Sequence, residues 1–222
     1  MPSGVRGARA GHANGGHTCV VLSLEPGDQA VRRGVQAFAF AHGRWRVLDP
    51  RDRYALWREA VAHDVLARVL YQTAIDLAEV RQGALFVVVD DPCAAVGRLV
   101  APHDVLSDDL PCGPPAELTP GDALLAKRAL HYLARGREVS ALDPSVLEAL
   151  AALDGALVTD RSGRLLAFGA ILRHDPALTG PVTAEGARTT AALIASHFGP
   201  VLKVSEDGVV SCFLRGRRAW EL

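Results

Sequence analysis

The chain is poor in lysine. Of its 222 residues only Lys127 and Lys203 are lysines, and the other basic side chains are arginines. Together with abundant alanine, that skew reads as a compositional bias of the source rather than a binding signal. Net charge is also lacking: 24 basic against 25 acidic residues leave −1. No global field therefore favours nucleic acid or an anionic membrane. Paired cysteines are absent: Cys19, Cys93, Cys112 and Cys212 lie far apart with no C-x-x-C spacing. That excludes a zinc or dithiol motif and fits incidental thiols in a reducing compartment. No apolar run reaches the length of a membrane span, and residues 1–16 lack the apolar core of a signal peptide. A cytoplasmic location is expected. Aromatics are 5% of the chain, and Trp45, Trp57 and Trp220 are scattered, so no base-stacking platform is evident. P-loop, G-x-S-x-G, H-E-x-x-H and dinucleotide-binding glycine fingerprints are missing.

What remains is ordinary globular composition, 49% apolar and 22% charged, enough for one sizeable core. Residues 1–16, rich in Gly, Ala and Arg, read as a flexible lead-in in which His12, like His17 just after it, is solvated. Residues 19–24 read as a strand, and 35–41 and 44–48 as a hairpin turning at His42-Gly43. These N-terminal strands, within 17–50, are expected to pack on or extend the domain. From Arg51 apolar residues recur at three- and four-residue intervals, with a break near His63-Asp64 and a glycine C-cap at Gly83. Residues 84–89 then form a fully apolar strand of the kind covered on both faces. Asp90-Asp91-Pro92 reads as a strand stop, and the region on to Glu117 as irregular. Helices are expected from Thr119 to about Ala134, from Asp143-Pro144 to about Ala152, and from Thr183 to Gly199. Hairpins are expected over 155–170 and 201–214. Residues 217–222 read as a tail, with Arg215, Arg217 and Arg218 solvated. This order predicts an α/β fold with a mixed β-sheet flanked by helices on both faces.

Two segments hold the candidate chemistry. Leu153-Asp154-Gly155-Ala156-Leu157-Val158 places a carboxylate at the mouth of a buried strand, where it can hold Mg²⁺ or Mn²⁺ and orient a hydroxyl. Asp-Gly is equally a common turn pair. Gly186-Ala187-Arg188-Thr189-Thr190 reads as a helix start whose small residues leave backbone N–H groups open to phosphate. Arg188 adds a positive fork, and the two threonines add hydroxyls. The same pattern also describes a capped surface helix with a solvated arginine.

In order and spacing, these residues resemble the diadenylate cyclase (DAC) domain, the DisA/CdaA type, over roughly residues 74–214. Four elements carry the resemblance. They are the helix into Gly83-Ala84-Leu85-Phe86-Val87-Val88-Val89, the Asp154-Gly155-Ala156 motif with its hairpin, the 186–192 segment, and Ser205-Glu206-Asp207-Gly208. The resemblance implies a DisA-N-like fold over residues 51–216. It also implies a nucleotide ligand (ATP or cyclic di-AMP), Mg²⁺ or Mn²⁺ on Asp154, and pairing of two copies face to face. Asp154 and Arg188 would be catalytic. Gly155, Ala156, Gly186, Ala187, Arg188, Thr189, Thr190, Ser205 and Glu206 would line the nucleotide.

The chain departs from the family where phosphates are held. The family's Gly-Thr-Arg-His-Arg keeps only its first arginine, as Arg188; Thr189 and Thr190 replace the histidine and second arginine, and Leu153 precedes the aspartate. Phosphoryl transfer depends on placed cations, and losing one donor typically costs roughly 10²–10³ in rate. Arg173 and His174 are candidate substitutes. The expected function is thus a bacterial signalling sensor that binds nucleotide with impaired catalysis. An active diadenylate cyclase and a partner-binding module that only keeps the fold are the alternatives. No nucleic-acid or membrane partner is expected.

Overall fold

The computed structural model describes residues 8–9, 17–25, 32–41, 44–48, 50–106, 123–173 and 186–222. Two units are distinguishable, Met1–Arg53 and Tyr54–Leu222. The first holds an antiparallel sheet in sequential order: β1 (Ala8–Arg9), β2 (His17–Glu25), β3 (Arg32–Ala41) and β4 (Arg44–Leu48). The expected strands are present; β2 and β3 are longer than the apolar runs alone suggested, and β4 has the expected bounds. His17 pairs with Phe40 between β2 and β3. One expectation changes: Ala8 and Arg9 pair with Val20 and Cys19 although they lie in the stretch read as a lead-in. His12 and the predicted turn at His42-Gly43 lie outside the described residues.

The second unit is built on β5 (Ala84–Val89), β6 (Ala156–Asp160), β7 (Leu165–Ala170), β8 (Val201–Val204), β9 (Val210–Leu214) and β10 (Arg217–Glu221), in the order β10-β9-β8-β5-β6-β7. Only β5 and β6 run parallel; the other neighbours are antiparallel. All six residues of β5 are buried, because alternate side chains enter two different cores. Phe86 and Val88 join Trp57, Leu66, Leu70 and Leu147, from α1 (Pro50–Val61), α2 (Asp64–Glu79) and α5 (Pro144–Ala151). Leu85, Val87 and Val89 join Ala95, Leu99, Ala192 and Ala195, from α3 (Pro92–Leu99) and α6 (Ala187–Ala195). The fold is therefore a mixed sheet with helices on both faces.

Local chemistry explains most boundaries. The break between α1 and α2 falls at Ala62, in the left-handed region at φ 55°, and His63, whose Nδ1 accepts the Leu66 N–H at 3.1 Å. Asp143 caps α5, accepting from the Ser145 hydroxyl at 2.6 Å and the Ser145 N–H at 2.9 Å. Those bonds, the hydroxyl's first, hold its carboxyl below the usual range.

Other boundaries correct the sequence reading. Asp91-Pro92 stops β5 but also opens α3, with Asp91 accepting from the Cys93 and Ala94 N–H groups. The stretch read as irregular thus begins with a helix packed on the sheet. Asp90, the residue before Asp91, receives the Arg161 guanidinium at 2.7 Å. Gly83 is not the cap of α2: Val80 ends that helix and Arg81 takes the left-handed turn at φ 57°. The supposed tail is β10, pairing with β9 and burying Trp220 against Tyr71. α4 is described over Ala123–Ala134, and residues 119–122 and 183–185, read as the openings of α4 and α6, lie outside the described residues. Among the described residues no helix is long and apolar enough to cross a membrane.

Candidate functional site

Register puts three expected segments at one end of the sheet. β5 and β6 start there, while β7 and the antiparallel β8 finish there: Leu85 lies opposite Lys203, and Ala156 opposite Ala170. The first turn of α6 sits at the same end. Together they enclose a cleft of about 730 Å³. Asp154, Gly155, Ala156, Gly186, Ala187, Arg188, Thr189, Ser205 and Glu206 all line it, with Leu85, Ile171, Lys203 and Asp207 among the others. Thr190, one position along α6, is not among the lining residues, because the helical turn carries it to another face.

Gly155 sets the shape of the Asp-Gly-Ala corner. Its φ is +112°, and a Cβ there would stand 2.6 Å from the Ala170 nitrogen and the Gly169 carbonyl carbon. Only glycine lets the chain press against the end of β7 and deliver Asp154, exposed, to the cleft. Gly83 has a comparable role that its place after a helix concealed: a Cβ there would lie 2.9 Å from Arg188 Cζ. The missing side chain gives the guanidinium its berth.

Gly186 caps α6 without a side-chain hydrogen bond, and its carbonyl accepts from the Thr189 and Thr190 N–H groups at 2.9 and 3.2 Å. Among the described residues, no acceptor serves the Ala187 and Arg188 N–H groups, which is the ordinary condition of a helix start. The Arg188 guanidinium lies 3.5 Å from Glu206 Oε1, a loose pair whose carboxylate side chain is 78% exposed. Such a pair contributes about 0–1 kcal/mol, so an anion can displace it. Ser205 and Asp207 shape the β8–β9 turn: Ser205 N–H donates to Val209 O at 2.9 Å, and Asp207 Oδ1 accepts from Val209 N–H at 3.3 Å.

Lys203 escaped the sequence reading. It sits in an apolar strand and is 9% exposed, yet its Nζ reaches the first turn of α6 and donates to Thr189 Oγ1 at 2.9 Å. A lone charge inside the Val-Leu-Lys-Val run was the available signal. Thr189, placed by resemblance where a histidine would hold phosphate, is buried and turned to that ammonium. Arg173 is not a substitute cation in the cleft: its guanidinium donates to the Gly97 carbonyl at 3.3 Å and its N–H to Leu99 O at 2.7 Å. His174 lies outside the described residues. Among the described residues no cluster of three or more His, Cys, Asp or Glu side chains is arranged to hold a metal ion. A single exposed carboxylate such as Asp154 suits a cation that arrives already held by phosphates and water.

No known family's sequence profile matches the chain, and no curated protein matches it. Solved structures that resemble it in fold include the following two. One is a hypothetical membrane spanning protein from Bacillus cereus, 20% identical with a TM-score of 0.44 over 68% of this chain; the chain spans 61% of that protein's length. The other is DacA from Staphylococcus aureus, as a double mutant, 17% identical with a TM-score of 0.42 over 70% of this chain and 86% of that one. Overlaps of this size and identity carry no residue roles to this chain.

Proposed function

We propose that residues 51–216 form a nucleotide-binding domain of diadenylate-cyclase-like type, acting as a cytoplasmic sensor with impaired catalysis. One observation carries this reading. The Asp154 carboxylate, the Arg188 guanidinium and the opening turn of α6 share one cleft, of a volume that suits a nucleotide. In this reading Arg188 and the Ala187 and Arg188 N–H groups receive phosphate. Asp154 holds the Mg²⁺ or Mn²⁺ that the phosphates bring, and Ile171 offers apolar surface to the base. Two copies would meet across this cleft.

Impaired catalysis follows from the charges. Joining two ATP molecules needs cations on the transferring phosphoryl group as pyrophosphate leaves. At the three positions resembling the family's Arg-His-Arg, Arg188 is the single cation. Active diadenylate synthesis is the second reading, favoured by Lys203, a cation from another strand that reaches the same turn. A product assay with all four nucleoside triphosphates and either metal separates the two. Binding without cyclic product supports the sensor. A cyclic dinucleotide that disappears in Asp154→Asn establishes the enzyme. No binding of any nucleotide ends both.

A further inference from the structure

The backbone at Gly83 does not itself call for glycine. Its φ lies outside the left-handed region, in contrast to Gly155. Alanine would fit that conformation and would also restrict the unfolded chain. What excludes a side chain is Arg188. Gly83 is buried, and a Cβ there would meet the Arg188 guanidinium first: Nη1, then Cζ at 2.9 Å and Nη2 at 3.3 Å. The chain around Gly83 is not free to retreat from such a clash. Gln82 N–H donates to Leu77 O at 2.8 Å and Arg81 N–H to Ala78 O at 3.1 Å, closing the end of α2. Ala84, the next residue, is buried in β5 opposite Val204. The guanidinium can retreat, because it ends a flexible side chain and its pair with Glu206 is loose.

The same connection adjoins the rest of the cleft. Gln82 Nε2 donates over a long 3.4 Å to the carbonyl of Ala152, two residues before Asp154. Gly208 ends the turn that carries Glu206, and a Cβ there would stand 3.1 Å from Ala78 O. Residues 78–83 are thus a common reference for the segments bearing Asp154, Arg188 and Glu206.

We infer that Gly83 is a positioning residue: by lacking a side chain it fixes where Arg188 holds its guanidinium, and so how the cleft meets phosphate. The inference rests on the phosphate role given to Arg188 above and says what keeps that group in place. A side chain at 83 would leave the charge in the cleft but turn its planar fork, whose value lies in direction.

The test combines calorimetry of ATP with Mg²⁺, thermal melts and side-chain NMR on the full chain. Wild type, Gly83→Ala, Arg188→Ala and the double variant are compared. Gly83→Ala is expected to melt within about 2 °C of wild type. It should weaken ATP roughly three- to tenfold, the scale of a misdirected charge-assisted hydrogen bond. In the Arg188→Ala background the same change should cost no further affinity, because the group it displaces is gone. In ligand-free protein the Arg188 Nε–H resonance, identified by its loss in Arg188→Ala, should shift in Gly83→Ala. Equal loss of affinity in both backgrounds overturns the inference, as does a resonance and an affinity that Gly83→Ala leaves unchanged. If Gly83→Ala melts well below wild type, the double variant decides: recovered stability supports the inference, and a persistent loss overturns it. Wild type that binds no ATP removes the nucleotide reading, and the resonance then decides whether Gly83 places Arg188.

Discussion

At Gly155 the backbone takes a conformation that other residues rarely adopt, and it does so against the backbone of β7. Gly155→Ala should therefore destabilise the fold by about 1–3 kcal/mol, read as a lowered urea midpoint. Full stability in that variant would mean the corner is not as described. Glu206 tests the other side of the cleft. Because its carboxylate competes for Arg188, Glu206→Gln should raise affinity for an anionic nucleotide by up to about fivefold, more at low salt. A gain of the same size at every salt concentration, or no gain at all, would contradict that competition. Asp154, Gly155 and Arg188 were legible because their types, order and spacing announce a turn and a helix start. Lys203 and Gly83 were not. The importance of each depends on a neighbour distant in sequence, Thr189 for one and Arg188 for the other.

Elements were legible where one physical cause dominates. The β5 strand and the 155–170 hairpin follow from apolar runs and the turn chemistry of Asp160-Arg161-Ser162-Gly163, and α2 from its three- and four-residue periodicity. The α3 helix was missed because Pro92 and Gly97 look like loop residues, although Pro92 occupies a helix start, where proline fits. The β10 strand was missed because its exposed arginines mark a sheet edge, where charge is tolerated and discourages further pairing. The cap of α5 yields a pH prediction. The depressed Asp143 pKa means the folded state favours its carboxylate. The cap's contribution is complete above the ordinary value of 3.8 and fades as pH falls through the lower folded value. Asp143→Ala should melt below wild type at neutral pH, and the gap should close as the solution is acidified below about pH 4. A gap independent of pH would assign the effect to something other than the charge.

At the scale of the whole second unit, the two cores on either side of the six-stranded sheet hold the cleft at one end and shield the interior from solvent. Burial pushes the Cys212 thiol up to about 12, whereas Cys93 is exposed. Peptide mapping after brief alkylation at pH 8 should therefore find Cys93 modified and Cys212 protected until denaturant is added. Because the folded value lies above the ordinary 9.0, this thiol's contribution is complete below about pH 9. It declines as pH rises toward 12, since the unfolded chain loses its proton first. Rapid native-state labelling of Cys212 would contradict the packing of β9.

The central claim is that Asp154, Arg188 and the first turn of α6 hold a phosphorylated nucleotide. Calorimetric titration of ATP with Mg²⁺ into wild-type protein and Arg188→Ala tests it most directly. The account predicts saturable binding by wild type, weakened roughly ten- to a hundredfold in Arg188→Ala with an unchanged melting temperature. Saturable binding of equal strength in both proteins would contradict it, as would no binding by wild type to ATP or cyclic di-AMP.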